Sequence, residues 1–128
     1  MHLVYVVMGL ALAQYLYFGF AVGGARGRYG VKAPATAGNE LFERYFRVQM
    51  NTLELIVALL PGLVLFGSYV SARWAALLGL VYIAGRFVYF AAYVRDPAKR
   101  SIGFGLSFLP VAALLVGGII GAGVALNG

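Results

Sequence analysis

The sequence predicts an all-α integral membrane protein, a four-helix bundle built as a single domain over residues 1–128. Three observations predict it. The chain is 62% hydrophobic and only 11% charged, with a mean hydropathy of +0.89, whereas soluble domains carry about 25% charged residues. Its length suits four spans of roughly 20 residues and leaves no room for a separate soluble domain. The few basic residues are scattered among apolar segments without a polar carrier domain. The net charge of +6 is therefore no signal for nucleic acid. The chain has no cysteine, which excludes disulfides, thiolate metal sites and a thiol nucleophile of its own. Thiol chemistry here needs the thiol of a substrate.

The first span is expected at about residues 1–25. It lacks the basic start of a signal peptide, and its apolar run is too long for one, so it reads as a retained helix. The segment from Arg26 to Asn39 reads as a loop, punctuated by Pro34, Gly38 and Asn39. Asn39 is a plausible N-cap for the second span, about 39–66, with Glu40 and Glu43 in its first turns. Pro61 should kink this helix, and a neighbouring helix can satisfy the freed carbonyl. Gly67-Ser68 reads as a short turn. The third span, about 70–94, carries Arg73 near its start and Arg86 inside it. Asp96-Pro97 is a stop-and-restart signal, and the fourth span follows at about 98–126. Gly117 and Gly121 permit close helix packing, within one bundle or between subunits.

Loop charge sets the expected orientation. Arg26, Arg28, Lys32, Arg95, Lys99 and Arg100 fall in the two loops on one side. The positive-inside rule puts those loops in the cytoplasm and both termini outside. Arg73 and Trp74 read as an anchor at the outer interface. His2 has no candidate metal partners, and no metal site is expected.

Two polar stripes interrupt the apolar spans. On the second helix, Glu43, Arg47, Asn51 and Glu54 recur at helical spacing and share a face, with Gln49 beside them. On the third, Arg86, Tyr89 and Tyr93 do the same, and Arg100 lies just past the Asp96-Pro97 break. Arg26 sits at the same level. An arginine near a bilayer centre costs roughly 2.5–3.5 kcal/mol on insertion scales, so these groups need partners. Individually they can be structural ion pairs, snorkelling cations or an aromatic belt. As a set they carry more cations at one depth than ion pairing requires. They suit a small, net-anionic peptide: arginines for carboxylates, Glu54 for an ammonium, Asn51 and Gln49 for amides.

At these residues the chain resembles the MAPEG superfamily, the membrane-associated proteins of eicosanoid and glutathione metabolism. The run Glu43–Glu54, ERYFRVQMNTLE, is similar to the pattern E-R-x-x-R-x-Q-x-N-x-x-E of the branch holding type three microsomal glutathione transferase and leukotriene C synthase. Gly85-Arg86-x-x-Tyr89-x-x-x-Tyr93, followed by Pro97-Ala98-Lys99-Arg100-Ser101, resembles its third-helix and turn signature. Ala25-Arg26 and Tyr29-Gly30-Val31 resemble the end of its first helix.

The resemblance implies a homotrimer of four-helix protomers with glutathione as co-substrate, bound between neighbours. With bacterial members in the branch, it also implies a bacterial inner membrane, the site facing the cytoplasm. Arg26, Arg47, Gln49, Asn51, Glu54, Arg86, Tyr89 and Tyr93 would hold glutathione, and Arg100 would stabilise its thiolate. A lipophilic electrophile would arrive from the bilayer along a groove lined by residues such as Phe87, Phe90 and Phe104. Gly27 and Leu55 depart from the pattern of leukotriene C synthase, which has an arginine and a tyrosine there. The implied activity is a general glutathione transferase and peroxidase for lipophilic electrophiles. The alternative within the superfamily is a non-catalytic lipid-binding scaffold, and a small transporter is a third class.

Overall fold

In the computed structural model, which describes residues 1–128, four long helices run in chain order: α1 (His2–Tyr29), α2 (Glu40–Tyr69), α3 (Ala72–Arg95) and α4 (Ser101–Leu126). A 3₁₀ turn, Pro97–Lys99, joins the last two. All four are long and apolar enough to cross a membrane. There is no strand.

The boundaries follow local chemistry. Asn39 is the N-cap of α2, its Oδ1 accepting from the Phe42 amide at 3.0 Å, which satisfies one of the free donors of the first turn. Ser71 caps α3 in the same way through the Trp74 amide. Asp96 ends α3 and caps the 3₁₀ turn through the Ala98 amide. Two boundaries differ from the sequence reading. α1 continues past Ala25 through Arg26 and Arg28 to Tyr29, and stops at Gly30 with φ 70°. That left-handed cap suits glycine, and cations in a last turn favour the helix dipole. α2 likewise runs through Gly67-Ser68 to Tyr69, so the turn lies at Val70-Ser71. Pro61 and Pro110 both sit inside helices.

The main core is built from all four helices, with Val4, Val7, Ala11, Leu59, Leu63, Tyr82 and Leu114 fully buried or nearly so. Outside it, large apolar side chains such as Leu16, Phe20, Val57, Leu109 and Ile120 face outward, as expected of helices surrounded by lipid. α3 and α4 approach closely at two places, each where one of them has a glycine. At Gly103, an added Cβ would collide with the Tyr89 backbone; at Gly85, it would stand 2.7 Å from the Leu106 carbonyl carbon. Gly117 and Gly121 pack within the bundle, against Phe66 and against Tyr69-Val70 at the end of α2. This close packing ties the register of α4 to α3, and that register positions the polar groups below.

Candidate functional site

The polar centre of the bundle is Arg86, whose side chain is fully buried. Its Nε donates to Ser107 Oγ at 2.9 Å. Its Nη1 donates to Asn51 Oδ1 at 2.8 Å and to Thr52 Oγ1 at 3.2 Å. The guanidinium lies 4.2 Å above the centre of the Tyr89 ring. Arg86 thus ties α2, α3 and α4 together, with hydroxyls, an amide and a ring around its charge and no carboxylate. The two hydroxyls pass the chain of bonds on: Thr52 donates to Val48 O and Ser107 to Gly103 O. Nη2 of Arg86 is buried without a protein partner.

This bond fixes Asn51. Because its Oδ1 accepts from Arg86, its NH2 group is the end turned away, free to donate toward the half-exposed side of α2. One helical turn either way on that side stand Arg47 and Glu54, whose charged ends are 3.9 Å apart and more than half exposed. Tyr89 and Tyr93 face them from α3, with ring centres 5.4 Å apart. The Tyr89 hydroxyl lies within electrostatic range of Arg86, Arg47 and Arg100 and of Tyr93. Arg100, at the start of α4, is exposed and donates through Nη1 to Pro97 O at 2.9 Å. So α2, α3 and the α3–α4 turn bring Arg47, Asn51, Glu54, Arg86, Tyr89, Tyr93 and Arg100 to one side of the bundle.

Arg26 and Gln49 do not join them. Gln49 lies two residues from Asn51, about 200° around the helix, and its amide rests over Gly19 of α1. Arg26 sits at the end of α1. Its Nη1 donates to Ala35 O at 2.7 Å, and its guanidinium covers the Phe42 ring at 4.9 Å. There it clamps the loop between α1 and α2 over the small core of Val22, Ala25, Val31 and Phe42. The sequence-predicted set is therefore divided between two faces of α2.

Glu43 leaves the stripe and accepts from the Gly38 amide at 3.3 Å. Phe87 and Phe90 pack with Tyr17 and Phe18 of α1 and with Tyr45. Phe104 packs with Tyr89 and Phe108, and both Phe90 and Phe104 rest on the cluster of Phe18, Val48 and Tyr89.

Three polar residues escaped the sequence reading. Thr52 and Ser107 are fully buried partners of Arg86. Arg44 donates to the carbonyls of Val94 and Arg95 at 3.2 and 3.0 Å, closing the C-terminal end of α3. Thr52 stands next to Asn51 and could have been suspected. Ser107 and Arg44 could not, since their roles depend on how separate helices meet.

The family description that matches is the MAPEG family, over residues 4–120. An uncharacterized protein of Synechocystis is 45% identical over 115 residues, covering 90% of this chain and 84% of that one. Human microsomal glutathione S-transferase 2 is 41% identical over 112 residues, 88% of this chain and 76% of the human one. Bovine leukotriene C4 synthase is 38% identical over 84 residues, 66% of this chain and 56% of the synthase.

Proposed function

The chain belongs to the MAPEG family and is an integral membrane protein, and from that premise we propose that it is a glutathione transferase of the bilayer. In this reading it joins the glutathione thiolate to lipophilic electrophiles. With a second glutathione it also reduces lipid hydroperoxides to alcohol and water, the two thiols leaving as a disulfide. Its transferase relatives carry glutathione in their names. The observation that supports the reading is the gathering of Arg47, Arg86, Tyr93 and Arg100 about Tyr89, with Asn51 bonded to Arg86 beside them.

Each group has a task that its chemistry suits. Arg47 binds a carboxylate of the tripeptide, and Glu54, beside it, binds the ammonium. Asn51 donates its NH2 to a carboxylate or peptide carbonyl. Tyr89 and Tyr93 donate hydroxyl hydrogens while their rings wall the site. Arg100, at the mouth, favours the thiolate over the thiol, as a cation beside a sulfur does. The thiolate then attacks the electrophile, forming a carbon–sulfur bond as the bond to a leaving group such as chloride breaks and the anion departs, with binding energy spent on orientation rather than on an acid–base step.

The division between two faces of α2 supports assembly. Arg26 and Gln49 lie on the α1 side, so a second copy would present them to the Asn51 side of its neighbour. A homotrimer closes such a head-to-tail contact around an axis and completes the site with residues of two protomers. The basic loops support a site facing the cytoplasm, and the bilayer would deliver the electrophile.

Calorimetric titration of the detergent-solubilised protein with glutathione tests the reading, followed by turnover with 1-chloro-2,4-dinitrobenzene. Saturable binding and turnover are expected, with a trimeric mass. Absence of glutathione binding by a folded protein would refute the enzyme and leave the lipid-binding scaffold.

A further inference from the structure

A second concave surface lies away from the polar site. On α3, Val88, Ala91, Ala92 and Arg95 lie on the side away from Arg86 and Tyr89. With Lys99 of the 3₁₀ turn they line a furrow of about 340 Å³. Its floor is apolar and hollowed where two of its residues are alanines. Its rim, at the end where the helix leaves the apolar layer, is cationic.

Neither cation at that rim forms an ion pair within the chain. The two ion pairs of the protein are Arg44–Glu40 and Arg47–Glu54, and neither involves Arg95 or Lys99, both of which are exposed. Asp96 is adjacent, its Oδ1 accepting from the Ala98 amide, and against the two cations it leaves the rim with a net positive charge. A helix C-terminus would ordinarily repel an anion. Here Arg44 covers the last carbonyls of α3, donating to Val94 O and Arg95 O. Arg44, itself paired with Glu40, thus caps these carbonyls, and the helix end offsets less of the charge of Arg95 and Lys99.

We propose that this furrow binds an anionic phospholipid, its phosphate between Arg95 and Lys99 and an acyl chain along Val88, Ala91 and Ala92. Charge complementarity selects the headgroup. The apolar floor, continuous with the outward face of α3 at Val81 and Leu77, selects a lipid over a free anion. The site is separate from the proposed glutathione site and does not rest on it.

Native mass spectrometry of the purified protein in detergent tests the proposal. Phosphatidylglycerol and phosphatidylcholine of identical chains are titrated in parallel. Phosphatidylglycerol should bind more tightly. The Arg95→Gln, Lys99→Gln double variant should lose its affinity for that lipid roughly thirty-fold, from about 1 kcal/mol for each cation at a membrane surface. Phosphatidylcholine binding should not change. Arg73→Gln, at the other end of α3, should retain the preference. Ala91→Leu, an outward-facing change that fills the floor and leaves both cations, should weaken the lipid but not soluble glycerol phosphate. The proposal is overturned if the double variant keeps the wild-type preference, or if Arg73→Gln loses as much. It is also overturned if glycerol phosphate binds as tightly as the whole lipid, or if Ala91→Leu leaves lipid binding unchanged.

Discussion

Replacing Arg86 by methionine separates two roles of a buried cation. The substitution removes three hydrogen bonds, to Ser107, Asn51 and Thr52. Bonds involving a charged group contribute about 1.5–3 kcal/mol each, so the gross loss is roughly 5–9 kcal/mol. Against this stands the cost of holding a guanidinium in the bundle without a carboxylate, several kcal/mol even after relaxation. Thr52 and Ser107 keep their bonds to Val48 O and Gly103 O, so neither hydroxyl is stranded. The two effects largely cancel, and Arg86→Met should change unfolding stability by no more than about 2 kcal/mol.

Asn51→Ala should behave in the opposite way. It keeps the cation and removes one of its acceptors, at about 1–3 kcal/mol. The difference appears in ligand binding. Without Arg86 the Asn51 amide is free to turn, and glutathione affinity should fall by roughly three- to tenfold, the worth of one oriented hydrogen bond. The assays are thermal unfolding in detergent and calorimetric titration of the same preparations. An Arg86→Met protein that fails to fold while Asn51→Ala is untouched would refute the energetic argument. Wild-type glutathione affinity in Arg86→Met would refute the positioning argument.

Loss of Arg100 as alanine should raise the pKa of the bound thiol and move the pH–rate profile upward while leaving most binding intact; lysine should rescue in part, and equal thiol titrations would remove Arg100 from the mechanism. Arg47→Ala or Glu54→Ala should weaken glutathione by a charge-assisted contact of about 1.5–3 kcal/mol, read calorimetrically; unchanged affinity in both would make this side of α2 structural. Gly103→Ala should force α3 and α4 apart and cost about 1–3 kcal/mol in thermal unfolding, whereas Gly105→Ala, with nothing within 4 Å of its added carbon, should be neutral or slightly stabilising. Cysteines introduced at Lys32 and Lys99 should react in intact cells only with a membrane-permeant reagent; labelling by an impermeant one would reverse the orientation.

What the sequence made legible was whatever depends on neighbours along the chain. Four apolar runs, the Asn39 cap and the Asp96-Pro97 break are local signals, and the structure has them in place. The first loop was drawn too early because Arg26, Gly27 and Arg28 look like loop residues, although cations suit the last turn of a helix. Gly67-Ser68 looked like a turn for a similar reason, while the cap that starts α3 is Ser71. Helical spacing put Arg47, Asn51 and Glu54 on one face, but it could not show that Asn51 is tied to Arg86. That bond depends on α2, α3 and α4 meeting at one level, which Gly85 and Gly103 permit and no local pattern reveals. The same limit hid Ser107, and it hid that Arg26 and Gln49 face away from the other candidates.

The carboxylate-free burial of Arg86 has a consequence for ionic strength. Arg47 and Arg100 are open to solvent, and at physiological salt a mobile ion atmosphere dims exposed charges over about 8 Å. Dissolved ions cannot enter the packed space around Arg86, so its field is not dimmed in the same way. An anion seated beside Asn51 would therefore feel one attraction that fades with added salt and another that persists. Its affinity should decline as salt rises and then level off, and the plateau would measure the cation enclosed within the bundle.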